Sequence, residues 1–184
     1  MTLQISKPSF YCIVQSCEAG EIDIGALDQW QQTILKQELS KFDAKDVYNL
    51  DETSLFWKLL PDQTLAFKGE KCTSGKKSKE RVTILVGASM DGSDKLPLLV
   101  TGKSIKPRCF SRLKLKKPPV LYEANRKAWM RSAIFENYMK KWDRKIKAEG
   151  RNILVYVDNC PSHPNLQGEL TNIRLQFFPP NTTA

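Results

Sequence analysis

Histidine is almost missing from this chain of 184 residues: His163 is the one copy. A zinc site built on two histidines is therefore excluded within one chain. The five cysteines, Cys12, Cys17, Cys72, Cys109 and Cys160, form an odd and scattered set with no C-x-x-C pair. Reduced thiols, in a nucleus or cytosol, are the expectation. No apolar run approaches the ~20 residues that cross a bilayer, so no membrane association is expected. The amino terminus lacks the basic flank and apolar core of a signal peptide. It opens without a helix cap or a clear domain start, as the middle of something larger would. Internal repeats and low-complexity tracts are absent too. One globular domain with room for a hydrophobic core remains.

Charge of one sign is plentiful. The net charge is +9, unevenly spread. Met1–Leu50 holds 4 basic and 7 acidic residues, whereas Asp51–Ala184 holds 25 and 13. A portion this basic suits a polyanion, most commonly nucleic acid, although the charge would also serve solubility alone. Two stretches concentrate it. Residues 68–81 are glycine-punctuated and carry Lys76, Lys77, Lys79 and Arg81. Residues 103–117 hold seven bases and no acid: Lys103, Lys106, Arg108, Arg112, Lys114, Lys116 and Lys117. As phosphate contacts they would confer affinity without sequence preference. Solvated loops or a nuclear localisation signal are the alternatives.

The apolar pattern supplies the elements. Ile22, Ile24, Leu27, Trp30, Ile34, Leu35 and Leu39 follow 3- and 4-residue spacing and predict an amphipathic packing helix over 22–40. Residues 47–51 read as a short buried strand ending in an acid, and 82–90 and 96–101 as strands joined by an Asp91–Asp94 turn. A short strand is expected at 120–122. Residues 132–149 predict a helix with Ile134, Phe135, Tyr138, Trp142 and Ile146 on one stripe, Ser132 as N-cap and Gly150 as stop. Residues 152–158 are apolar on both faces, as a strand inside a covered sheet would be. Residues 173–178 form a last strand, closed by Pro179-Pro180. The order predicts an α/β fold, a mixed β-sheet with flanking helices. We divide the chain into a helical lead-in, 1–45, and a domain, 46–184.

Asp51 and Asp158 stand at the ends of two predicted central strands, 107 residues apart. If those strands are neighbours, both carboxylates leave the sheet at one edge. Such a pair suits a hard divalent cation, which takes one or two carboxylates plus phosphates and serves phosphodiester chemistry. Strand-end acids also act as plain caps or solvated turn residues.

Tyr48-Asn49-Leu50-Asp51-Glu52-Thr53 with Leu55-Phe56-Trp57, Val157-Asp158-Asn159-Cys160-Pro161-Ser162-His163, and Phe177-Phe178-Pro179-Pro180-Asn181-Thr182-Thr183 carry a resemblance. They are similar to successive motifs of the DDE superfamily endonuclease domain of pogo, Tigger and jerky-type transposases, related to centromere protein B. Lys79–Thr83 and the Ser132–Tyr138 helix opening are family-like as well. The resemblance implies a ribonuclease-H-like fold and makes Asp51 and Asp158 the first two catalytic, metal-binding acids, with magnesium or manganese as cofactor. Glu52, next to Asp51 on a strand, is expected on the opposite face and simply exposed, with support of the metal-binding acids from behind as the alternative. His163 either orients a ligand or touches phosphate, or else caps the turn between Pro161 and Pro164. Asn159 is a candidate partner of the acids.

The family's third acid and last catalytic helix lie beyond the Pro-Pro-Asn-Thr-Thr motif, and this sequence ends at Ala184 before them. Glu169 does not match that position. The expectation is a nuclear, transposable-element-derived domain that binds nucleic acid, DNA foremost, and is catalytically incomplete as it stands. A fragment of an active magnesium-dependent nuclease or strand-transferase is the second reading. A domesticated scaffold that dropped both activities is the third. Oligomeric state is not legible.

Overall fold

The computed structural model describes residues 24–59, 78–111 and 120–180. Six strands form one sheet: β1 Val47–Leu55, β2 Val82–Ser89, β3 Leu99–Gly102, β4 Leu121–Ala124, β5 Ile153–Val157 and β6 Ile173–Phe177. Their order is β4-β3-β2-β1-β5-β6. β1, β2 and β3 pair antiparallel, while β1–β5, β5–β6 and β3–β4 pair parallel. This is the mixed sheet with flanking helices that the apolar pattern predicts. β5 lies inside it, and all five of its residues are buried, as an unbroken apolar run requires.

The period-2 alternation of β5 divides its side chains between two cores. Ile153, Val155 and Val157 join Tyr48, Leu50, Leu85 and Leu99 beneath helix α4, Ser132–Ala148. Leu154 and Tyr156 join Val47 on the other face, covered by Trp30, Leu35, Leu39, Phe42 and Phe178. The helix over that second face runs as α1, Ile24–Trp30, a π-helical turn at Gln31–Leu35, and α2, Lys36–Leu39. The five-residue step of the π turn aligns Trp30 with Leu35. The predicted stripe is corrected accordingly. Ile24 and Ile34 face solvent, and Ile22 lies outside the described residues.

α4 starts differently from expectation. Its N-cap is Arg131, in extended backbone and without a side-chain cap bond. Ser132 is already helical, and its hydroxyl donates instead to the Pro161 carbonyl at 3.1 Å, tying the helix start to the turn after β5. Gly150 ends the helix at φ +66°, a left-handed value that glycine adopts without a Cβ penalty. Near its end, Asp143 accepts from the backbone N–H groups of Thr171, Asn172 and Ile173 and from the Thr171 hydroxyl, at 2.8–3.2 Å. That carboxylate locks α4 to the start of β6. β1 is longer than predicted because its polar half, through Leu55, still pairs with β2 down to Val82. The hairpin turn follows its sequence chemistry, with Gly92 at φ +74° and Asp91 Oδ1 accepting from the Ser93 backbone N–H at 3.0 Å. β3 then opens only at Leu99. A short helix, α3 Arg108–Ser111, falls within the basic stretch.

Candidate metal centre

β1 and β5 run parallel with Asn49 level with Tyr156. Two residues further along each strand, the same register sets Asp51 level with Asp158. The alternation puts the Asp51 carboxylate on the α1–α2 side of the sheet, whereas the Asp158 carboxylate, just past the end of β5, lies against His163. Burial raises the Asp51 pKa. The Glu52 backbone N–H, donating to Oδ1 at 2.8 Å, works against that rise, and the negative charge of Asp158 adds to it. Oδ1 of Asp158 is buried and has no hydrogen-bond partner among the described residues. Asp51 feels the charge of Asp158, and the two offer oxygen donors at the ends of neighbouring parallel strands. Such a pair fits a hard divalent cation such as magnesium or manganese.

Glu52 faces the other way, as the alternation requires, but it does not end in solvent. Its Oε1 lies 2.7 Å from Nε2 of His163. The His163 ring is completely buried and packs against Phe135 with ring centroids 4.3 Å apart. Its Nδ1 lies 3.2 Å from the Asp158 carbonyl oxygen. Oδ1 of Asp158 is 2.5 Å from the same nitrogen, yet without hydrogen-bond geometry, so the carbonyl is the true acceptor. Burial pulls the His163 pKa down. The hydrogen bond and charge of Glu52, followed by the carbonyl and charge of Asp158, outweigh it and leave the pKa raised. With an oxygen acceptor at each nitrogen, the ring donates at both only as imidazolium.

Complete burial excludes the phosphate-contact reading of His163. The ring braces Asp158 from behind, and its backbone N–H closes the turn onto the Cys160 carbonyl at 3.0 Å. Glu52, Asp158, Cys160 and His163 bring one ligand atom each within 4.8 Å of one another. Both ring nitrogens are already committed to oxygen acceptors, so this group acts as a brace and not as a metal cage. Glu52 takes the supporting role that sequence reasoning held as the alternative to simple exposure. The available signal was its parity with Tyr48 and Leu50 on the buried side of β1. Asn159 is exposed and has no hydrogen-bond partner among the described residues.

Lys79, Lys103, Lys106 and Arg108 are exposed. Arg81 is half-buried and borders one groove with Lys103, Trp57 and Phe110. Lys76, Lys77, Arg112, Lys114, Lys116 and Lys117 lie outside the described residues. Glu169 pairs with Lys140 at 2.6 Å, away from the acids.

No helix among the described residues is long and apolar enough to cross a membrane. Residues 79–184 match the model of the DDE superfamily endonuclease. The chain is 47% identical over 165 residues to Tigger transposable element-derived protein 4 of Mus musculus, covering 90% of this chain and 32% of that protein. It is 34% identical over 139 residues to major centromere autoantigen B of Homo sapiens, covering 76% and 22%. CENP-B homolog protein 2 of Schizosaccharomyces pombe is 32% identical over 158 residues, with 81% and 30% covered. The chain thus spans a third or less of these relatives. Among solved structures, the Mos1 transposase paired-end complex with left transposon end gives a TM-score of 0.52 at 12% identity, covering 97% of this chain and 48% of that one. A pre-cleavage Mos1 transpososome gives 0.51 at 12% identity, covering 97% and 49%. At such identity the likeness is one of fold, the ribonuclease-H-like sheet. By sequence and fold together, the chain belongs to the DDE superfamily endonuclease family, as a transposase-derived domain.

Proposed function

We propose that this chain is a nucleic-acid-binding core in which Asp51 and Asp158 hold a divalent cation, magnesium or manganese. The observation that carries the reading is the level placement of the two acids at the ends of parallel β1 and β5, close enough for the charge of Asp158 to act on Asp51. When bound, such a cation activates an attacking oxygen and neutralises charge on a phosphodiester. Glu52 and His163 fix the Asp158 backbone and side chain, so that the second ligand is held in place before the cation arrives. Lys79, Arg81, Lys103, Lys106 and Arg108 supply phosphate contacts, joined by the bases at 76–77 and 112–117. DNA is the proposed partner and the nucleus the proposed compartment, in keeping with the transposable-element and centromere names of the relatives. Residues 46–184 form the working domain and 1–45 its lead-in.

Two carboxylates define a cation site only in part. Residues 1–184 by themselves are therefore expected to bind metal and DNA without cutting efficiently. The test is a manganese titration read by thermal melting, with duplex binding measured across salt. Melting should rise with manganese in the wild-type chain and not in Asp158→Asn, and duplex affinity should fall steeply with salt. A manganese-insensitive melting point together with salt-insensitive DNA affinity would overturn the reading.

A further inference from the structure

The loop between β4 and α4 is clamped on both sides of an exposed tryptophan. The Asn125 side chain accepts from the backbone N–H of Lys127 at 3.1 Å and of Trp129 at 3.3 Å, and donates to the Trp129 carbonyl at 2.6 Å. Ala128 has φ +54°, the one positive value among described non-glycine residues. It is fully buried, and its carbonyl accepts from the Thr83 hydroxyl at 2.7 Å. A left-handed alanine is strained by its Cβ, and surrounding contacts must impose it. Met130, on the far side, is buried. Between these anchors the Trp129 side chain is 54% exposed. Burial of apolar surface does not explain a strained, anchored loop that holds its largest ring in water.

Other planar groups gather beside it. The Arg81 guanidinium lies 4.5 Å from the Trp129 ring centroid and 5.7 Å from that of Phe56. Trp57 is 58% exposed, and the Lys58 ammonium lies 4.5 Å from its ring centroid. All of these extend from the carboxyl end of β1, because Leu55 pairs with Val82. Exposed neighbours of Trp129 in its own loop, Arg126 and Lys127, are both cations.

We propose that Trp129, Arg81, Phe56 and Trp57 form a stacking platform for the unpaired nucleobases of a single strand. Exposed rings take any base by its π-face, a planar guanidinium stacks and pairs with phosphate, and the cations favour a polyanion over a basic or neutral partner. The proposal rests on the nucleic-acid reading above and adds to it a preference for unpaired bases at one place.

The test is fluorescence anisotropy of the full chain with a labelled oligothymidylate and with a labelled duplex of equal length. Trp129→Ala should weaken oligothymidylate binding about tenfold, the size of one lost base–aromatic stack, and change duplex binding less than about twofold. Arg81→Lys keeps the charge and loses the plane, so it should weaken the single strand several-fold at an unchanged salt slope. Trp129→Phe, with circular dichroism of both variants, controls for folding and should restore most of the affinity. Equal losses on both ligands, or none on the single strand, overturn the platform. If duplex binding stays salt-sensitive in that case, the nucleic-acid reading survives; if the wild-type chain binds neither ligand, both fall. Self-association that disappears in Trp129→Ala, without any effect on nucleic acid, would assign the patch to a second copy of the chain.

Discussion

On the α4 side of the sheet, fifteen buried residues close into one cluster, from Tyr48 on β1 to Ile173 on β6. On the α1–α2 side the buried apolar cluster among the described residues is Val47, Leu154 and Tyr156, under partly exposed cover. A groove of about 610 Å³ remains open there, lined by Leu35, Val86, Phe178 and Asp51 among others. Asp51 and Glu52 are neighbours in the chain, and the pleat sends one to each side. The closed side braces, through Glu52, His163 and Phe135. The open side exposes Asp51, the acid proposed to meet a cation. A site of this kind needs one ligand reachable from solvent and another held from behind, and adjacent residues of a strand provide that division at no cost in length.

The contrast breaks if the two sides prove equally important to stability. Phe135→Ala should cost about 3–5 kcal/mol, since a fully buried ring leaves a cavity and removes the packing under His163. Trp30→Ala, from a partly exposed ring, should cost roughly 1–2 kcal/mol. Urea denaturation of the two variants compares them directly, and similar losses would contradict a division into bracing and open faces.

A middle-sized effect belongs to the Asp143 lock. Burial pushes its pKa up, but the N–H groups of Asn172 and Thr171, the Thr171 hydroxyl and the Ile173 N–H outweigh it and leave the pKa lowered. A lowered folded pKa means stability that is present above the unfolded value of about 3.9 and lost as pH falls through the folded value. Asp143→Ala should cost about 2–4 kcal/mol at neutral pH by stranding buried N–H groups. Its acid unfolding should also lose part of the dependence on pH below about 4. An unchanged acid limb in that variant would remove the lock from the account.

The smallest effect on stability sits at the candidate centre. Burial, then the Asp158 charge, raises the Asp51 pKa against the Glu52 N–H. The ionised form is thus disfavoured in the folded chain, so the stability that the protonated form contributes below the unfolded value is lost as pH rises through the folded value. Asp51→Asn should therefore leave stability unchanged or raise it by less than about 1 kcal/mol, because it removes a charge whose burial opposes folding. The manganese response should vanish with it. A large destabilisation would make Asp51 part of the bracing side and collapse the comparison.

Much of the architecture is legible in the chain because period and punctuation carry it. The apolar run of β5, the α4 stripe with its glycine stop and the Asp91–Asp94 turn each follow from local chemistry. The length of β1 is not legible: its second half is polar, and only pairing with β2 holds it as strand. The start of α4 is illegible for a similar reason, since the Ser132 hydroxyl finds a carbonyl 29 residues away that no local rule names. The π turn changes which of two adjacent residues, Ile34 or Leu35, faces the sheet.

At the centre the same line runs between local and distant causes. The sequence by itself singled out Asp51 and Asp158 as a candidate pair, through two strand-end motifs. Only the tertiary structure decided that β1 and β5 are parallel neighbours in a register that levels the acids. It alone decided that the lone histidine lies wholly inside, between Glu52 and Asp158. Those outcomes depend on contacts more than 100 residues apart along the chain, and periodicity carries no information at that range. Backbone pairing and the exclusion of water from the α4 core supply it.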